Sequence, residues 1–346
     1  MLLLSVLLLL ALATRSSKAT GANSTLSDNG RLAPLKRAIT AHPSSLVVEY
    51  YEAGPSSGET VLLVHGFPYS IDAFVSVVPL LVNQGYRVIV PYLRGFGGTR
   101  FLYPHTPRSA EQAALGYDII ALMDAIHLDT AICAGYDWGS VAVNVATALW
   151  PERCTRMVAA NSYLIQNRST AWQPSDPNSE ATKWYYYLFL TPRGAAGLAE
   201  TPKRWIETLW KKNSIGWNFT EEYLDLTVTS LFNPDFVDIA VNFYRNRLLY
   251  APGDPAFADL ANKLDDQPLI AVPSVTLDPE NSVALTPSNE SATAKHFTGP
   301  RCHYLIPGVG ENIPYQAPNA FARAIMEVSR LSASNTNWTT TIGTSH

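Results

Sequence analysis

Three short, almost wholly apolar runs alternate with stretches of helical spacing: Val61-Leu-Leu-Val64, Arg87-Val-Ile-Val90 and Thr130-Ala-Ile-Cys-Ala134. A strand that is apolar on every residue leaves no face for water, so it belongs inside a parallel sheet covered on both sides. Parallel neighbours need crossovers. The helical stretches Ala73 to Val82, Ser109 to Ala125 (with Ser109 as its N-cap) and Val141 to Leu149 supply them, giving right-handed βαβ units. Leu46 to Glu52 reads as an earlier strand, followed by the turn Gly54 to Gly58. Ser274 to Leu277 and Tyr304 to Ile306 read as later strands, and Ala317 to Val328 as a last helix. The fold class is α/β, with a mostly parallel central sheet and helices on both faces.

Between Ser162 and Gly253 the pattern changes. Aromatics crowd together, Trp184-Tyr-Tyr-Tyr187 being the densest run, and helical stretches displace strands. This reads as a helical insertion over residues 162–253, separating a first core part (40–161) from a second (254–331). The remaining 332–346 are Ser/Thr/Asn-rich and aperiodic, the composition of a disordered tail. With 47% hydrophobic residues and a net charge of −4, the chain is not globally disordered. Against 29 acidic residues, 25 Lys and Arg leave no cationic excess for nucleic acid. Three cysteines in 346 residues do not make a disulfide scaffold. Cys133 lies in an apolar run and is expected buried; whether Cys154 and Cys302 pair is open. No Cys/His cluster has metal-ligand spacing, so no metal and no cofactor are expected.

Residues 1–19 open with an apolar run that ends at Ala13, too short to span a bilayer, and Ala11-Leu-Ala13 offers a small-x-small cleavage site. A secretory signal peptide is the expectation, with an uncleaved membrane anchor as the alternative. Five Asn-x-Ser/Thr triplets, at Asn23, Asn167, Asn218, Asn289 and Asn337, fit glycosylation in the endoplasmic reticulum lumen or a secreted protein.

Gly135-Tyr-Asp-Trp-Gly139 sits between an apolar strand and a helix. A sharp strand–turn–helix bend exposes its central residue and needs glycines where side chains would collide. Here that residue is Asp137, a carboxylate at a helix N-terminus and so expected ionised at neutrality. The Trp138 N–H is aimed at an oxygen of its carboxyl. Val64-His-Gly-Phe-Pro68 follows another buried strand, and its loop places the Phe67 N–H as a second oxyanion donor. Taken alone, His65 reads as a hydrogen-bonded structural histidine. As part of a pocket it joins Trp138 and Tyr186 as substrate-facing.

With these motifs the chain resembles the α/β-hydrolase superfamily, and within it the epoxide hydrolases and their haloalkane and fluoroacetate dehalogenase relatives. The resemblance runs from about Leu46 to Val328. It also takes in Arg94-Gly-Phe-Gly-Gly98, Lys183-Trp-Tyr-Tyr-Tyr-Leu-Phe189, Asn242-Phe-Tyr-Arg-Asn246, Ala251-Pro-Gly-Asp-Pro255, Phe297-Thr-Gly-Pro300 and Ile306-Pro-Gly-Val-Gly310. It implies a helical cap inserted after the sixth strand. It also implies an Asp nucleophile at Asp137 that opens an epoxide to an ester, and two cap tyrosines that hydrogen-bond the epoxide oxygen. Tyr244 matches one of these; Tyr185 matches the other, with Tyr186 and Tyr187 adjoining.

The chain departs from that pattern at two linked positions. Where the family has a water-activating His, Gly308-Val-Gly-Glu-Asn-Ile-Pro314 carries Glu311. Where the acid that orients that His belongs, Leu277-Asp-Pro-Glu-Asn-Ser-Val283 places Ser282, with Asp278 and Glu280 nearby. Neither His303 nor His296 lies in the loop expected to face Asp137. Glu311 beside Asp137 suggests two carboxylates sharing a proton, one of which ionises once the other is esterified. The expected function is an enzyme that opens an epoxide on a mainly apolar, polyketide-type substrate, giving a diol or a cyclic ether. The alternatives are a catalytically silent binding protein and an isomerase or cyclase using Asp137 and Glu311 as a proton shuttle.

Overall fold

The computed structural model describes residues 30–331 apart from 286 and 289–292. The signal peptide, Asn23, Asn289, Asn337 and the tail from 332 lie outside the described residues. The sheet runs β1 (Leu35–Ile39), β2 (Leu46–Ala53), β4 (Arg87–Pro91), β3 (Thr60–Val64), β6 (Ala131–Gly135), β7 (Cys154–Ala160), β8 (Ser274–Pro279), β9 (Arg301–Ile306), and the two-residue β5 (Arg100–Phe101) pairs with β2. From β4 to β9 all pairs are parallel, whereas β1 and β2 pair antiparallel at one edge. Every residue of β3, β6 and β8 is buried, as a strand covered on both faces requires.

Three strands escape sequence reading. Edge strand β1 (Leu-Lys-Arg-Ala-Ile) is mostly exposed and carries charges, so it lacks an apolar signature, and the core begins before residue 40. Strand β5 is only two residues long. In β7, polar Thr155 and Arg156 interrupt the apolar run. The helix expected from Ser109 starts later, as α2 (Gln112–Ala125). Glu111 is its N-cap and Ser109 Oγ is 3.5 Å from the Glu111 N–H. Helix α1 (Val77–Val82) packs with the C-terminal helix (Pro318–Arg330) on one face, and α2 with α3 (Trp138–Leu149) on the other. Cys133 pairs with Cys154, not left free, because neighbouring strands β6 and β7 bring their Cα atoms to 5.5 Å; Cys302 is free and buried.

The helical insertion follows β7, the seventh strand and not the sixth as expected, because the two-residue β5 adds a strand before it. It comprises α4 (Pro177–Thr182), α5 (Trp184–Phe189), α6 (Pro192–Glu200), α7 (Pro202–Asn213), α8 (Glu221–Thr229) and α9 (Phe236–Arg247). Proline in the first turn starts α4, α6 and α7, where the missing N–H costs nothing. Several contacts lock it onto the core, among them two short hydrogen bonds. The Gly97 N–H donates to Ser230 O over 2.8 Å, and Asn233 Nδ2 to Thr99 O over 2.7 Å. Among the described residues, no helix is long and apolar enough to cross a membrane.

Candidate active site

Asp137 occupies the bend between β6 and α3 with φ +53° and ψ −124°, a conformation costly for a residue with a Cβ. The bend survives because its neighbours are glycines. A Cβ on Gly139 would stand 2.0 Å from Val64 O, and one on Gly66 would stand 2.5 Å from Asp137 Oδ1. The loop after β3 can therefore close over the carboxylate, and the Phe67 N–H donates to Asp137 Oδ1 over 2.6 Å. The Trp138 N–H also bonds the carboxyl. Trp138 is sandwiched between Phe67 and Phe243, at ring separations of 5.1 and 4.1 Å, with its indole also beside the Tyr244 ring at 5.9 Å.

The sequence reading of Asp137 as an ordinary ionised carboxylate is corrected. Burial pushes its pKa up to about 7, against the opposing pull of the Trp138 and Phe67 N–H groups and of the Arg247 charge. Grouping His65 with the substrate-facing residues is corrected too. Its Nε2 accepts from the Leu93 N–H at 3.1 Å and its Nδ1 meets Gly66 O at 3.0 Å, so both ring nitrogens are spent on backbone. Burial lowers its pKa to about 4, keeping the ring neutral.

Tyr185 on α5 and Tyr244 on α9 meet edge to face, ring centroids 5.4 Å apart, and Tyr186 lies 4.5 Å from Tyr244. Burial raises the pKa of all three phenols, and the charges of Asp137 and Glu311 push in the same direction. They are proton donors, not phenolates.

Glu311 is buried in the loop after β9. Its N–H donates to Ser214 Oγ over 3.0 Å, its Oε1 accepts from Ser282 Oγ at 3.4 Å, and its Oε2 from Asn213 Nδ2 at 3.5 Å. Burial first, and the Asp137 charge second, raise its pKa to about 8; Asn213, Ser282 and the backbone at Ala284 pull the other way. Near neutrality the two carboxyls therefore hold about one proton between them. Asp278 and Glu280 do not reach it. Asp278 bonds Ser288 and stands 3.6 Å from His303, and Glu280 accepts from the Gly308 N–H. His303 meets Thr276, and His296 stacks on Tyr163.

Asn213 is the residue sequence reasoning missed. Its Nδ2 lies 3.4 Å from Tyr185 Oη as well as near Glu311, joining the cap phenol to the core carboxyl. No motif marks it. It reaches the site because the end of α7 is stitched to the loop after β8, with the Val283 N–H donating to Asn213 O and the Ile215 N–H to Asn281 O. Among the described residues, no group of three or more His, Cys, Asp or Glu is placed to hold a metal ion.

Residues 59–263 match the family described as alpha/beta hydrolase fold. The crystal structure of a candidate epoxide hydrolase from Klebsiella pneumoniae subsp. pneumoniae superposes with a TM-score of 0.85 at 37% identity, covering 88% of this chain and 100% of that one. Epoxide hydrolase A of Mycobacterium tuberculosis is 24% identical over 325 residues, 85% of this chain and 97% of its own length. Epoxide hydrolase A of Mycobacterium thermoresistibile shares the fold at a TM-score of 0.67 and 22% identity, covering 86% of this chain and 98% of that one. The chain belongs to the alpha/beta hydrolase fold family, and within it to the epoxide hydrolase-like proteins.

Proposed function

We propose that this protein opens an epoxide through an ester on Asp137 and hydrolyses that ester with Glu311 as base. The observation that carries the reading is the arrangement around Asp137: two backbone N–H donors on its carboxyl, two phenols above it, and a second carboxyl beyond.

One Asp137 oxygen attacks an epoxide carbon as the C–O bond breaks. The developing alkoxide takes its proton from Tyr185 or Tyr244. The ester carries no charge, so the repulsion that held the proton on Glu311 is gone. Glu311 ionises and its proton restores the phenol. Glu311 then takes a proton from water as the water oxygen attacks the ester carbonyl carbon. The Phe67 and Trp138 N–H groups hold the oxyanion. Collapse releases the diol, whose second oxygen takes the remaining water proton; Asp137 returns as the anion and Glu311 as the acid. Asn213 keeps Tyr185 and Glu311 in register. A substrate with an internal hydroxyl in place of water gives a cyclic ether by direct attack, with Asp137 as base.

The substrate is a mainly apolar, polyketide-type epoxide, in keeping with the aromatic lining. The chain works in the secretory pathway. Exposed Asn218 and half-buried Asn167 are its described glycan acceptors, and the buried Cys133–Cys154 bridge fits an oxidising compartment.

The test is a single turnover in ¹⁸O-water on a panel of aliphatic and polyene epoxides. The ester route puts the label in Asp137 and leaves the first diol unlabelled. Asp137→Asn abolishes both adduct and product. No turnover and no adduct across the panel overturns the reading.

A further inference from the structure

Outside the aromatic shell lies an open cavity of about 610 Å³, bounded by α4, α5, the end of α9 and the segment from Gln166 to Ser175. Tyr186 lines it on one side and touches Tyr244 on the other, so the cavity is the approach to the reacting carboxylate. Its charged residues are Lys183, Arg247 and Glu180. Glu180 is already committed, accepting from the Tyr187 hydroxyl and the Ser175 N–H. Lys183 Nζ donates to the neutral Ser179 hydroxyl over 3.2 Å, and its charge is also felt at Glu180.

Arg247 is the unusual member. It follows Tyr244 by three residues on α9, so both share one helix face. Its guanidinium lies 6.0 Å from the Phe243 ring, and no carboxylate of the described residues forms an ion pair with it. Its charge is felt at Asp137 and at Tyr186. A half-buried arginine in a cavity, lacking an acidic partner and facing a catalytic carboxylate, is a planar donor set suited to an anionic oxygen pair.

We infer that Arg247, assisted by Lys183, binds a carboxylate on the substrate, so that the preferred substrate is an amphipathic epoxide with its anionic end in the outer cavity and its ring under Tyr185 and Tyr244. This rests on the epoxide reading for the ring but not for the anion. The apolar body lies along Tyr186, and the anion sets which end of the chain enters first.

The experiment measures binding of straight-chain acids from octanoic to hexadecanoic, and of their primary amides, by tryptophan fluorescence and calorimetry. The wild type is expected to bind the best acid at least tenfold more tightly than its amide, in the range of a charge-assisted hydrogen bond. Arg247→Gln should remove that preference and Arg247→Lys should keep part of it. Equal binding of acids and amides by the wild type overturns the inference whatever the variants do. So does a preference that Arg247→Gln leaves intact in a protein of unchanged circular dichroism. Turnover of ω-epoxyundecanoic acid and its amide separates the two readings. Acid binding without ring opening sinks the epoxide reading alone, and ring opening without acid preference sinks the anion site alone.

Discussion

Ser282 Oγ donates to Glu311 Oε1 across 3.4 Å, so the two positions at which the sequence reading expects a departure from the epoxide hydrolase pattern touch one another. The contact gives a physical reason to treat the two positions as one unit. A carboxylate at 282 would face the carboxyl of Glu311, two acids in a buried site, whereas a hydroxyl donates to Glu311 in either protonation state.

Glu311→Gln should therefore stop the second half-reaction and spare the first. Turnover is expected to fall about a hundredfold to ten-thousandfold, the usual loss for a missing general base. Intact-mass spectrometry should then show protein heavier by one substrate. Glu311→His alone should recover little, because Ser282 cannot fix the ring as an acid would. The pair Glu311→His and Ser282→Asp should recover more, and the double-mutant cycle measures the coupling.

The rate of adduct formation should rise with pH through about 7, since only the Asp137 anion attacks and burial has raised its pKa to that value. Pre-steady-state mass spectrometry across pH 5–9 reads this directly.

Stability should move in the opposite direction. Glu311 has a folded pKa of about 8 against 4.5 for the free side chain. The folded state binds the extra proton, so this contribution is fully present below about 4.5 and is lost as pH rises through about 8. The melting temperature of Glu311→Gln should show a shallower decline over that window than the wild type.

Asn213→Ala should act through Glu311, not through substrate. Losing the amide donor removes one of the groups that hold the Glu311 pKa down. The pH at which ester hydrolysis switches on should shift upward, with little change in KM for a neutral epoxide. Asn213→Gln should restore part of the profile. An unchanged pH profile would assign Asn213 a packing role only.

Removing the Cys133–Cys154 bridge should destabilise the protein by about 3 kcal/mol, from closing a loop of 21 residues in the unfolded chain. Both cysteines are buried, so dithiothreitol should lower the urea midpoint only after it has acted on unfolded protein.

The elbow was legible because its requirements are local. Gly135, Asp137 and Gly139 lie within one turn, and the apolar runs on either side announce the strand and helix that frame it. Tyr244 and Glu311 could be named from the motifs around them, and both are buried where they feel the charge of Asp137. Arg247 could have been found by counting three residues on from Tyr244 along one helix face. Asn213 could not, since its place depends on how the end of α7 docks on a loop about seventy residues further along the chain.

Local spacing and apolar patterning determined by themselves that this chain builds a parallel sheet with a carboxylate on a sharp bend. Only the tertiary structure decided the state of that carboxylate. The raised pKa of Asp137 follows from burial, and that of Glu311 from burial and the Asp137 charge, and both are properties of the assembled site. The same holds for His65, whose ring nitrogens are consumed by the backbone of Gly66 and of the strand-end loop at Leu93. A residue's type limits the chemistry it can do, but the dielectric and the neighbours that select among those options exist only after distant segments have packed together.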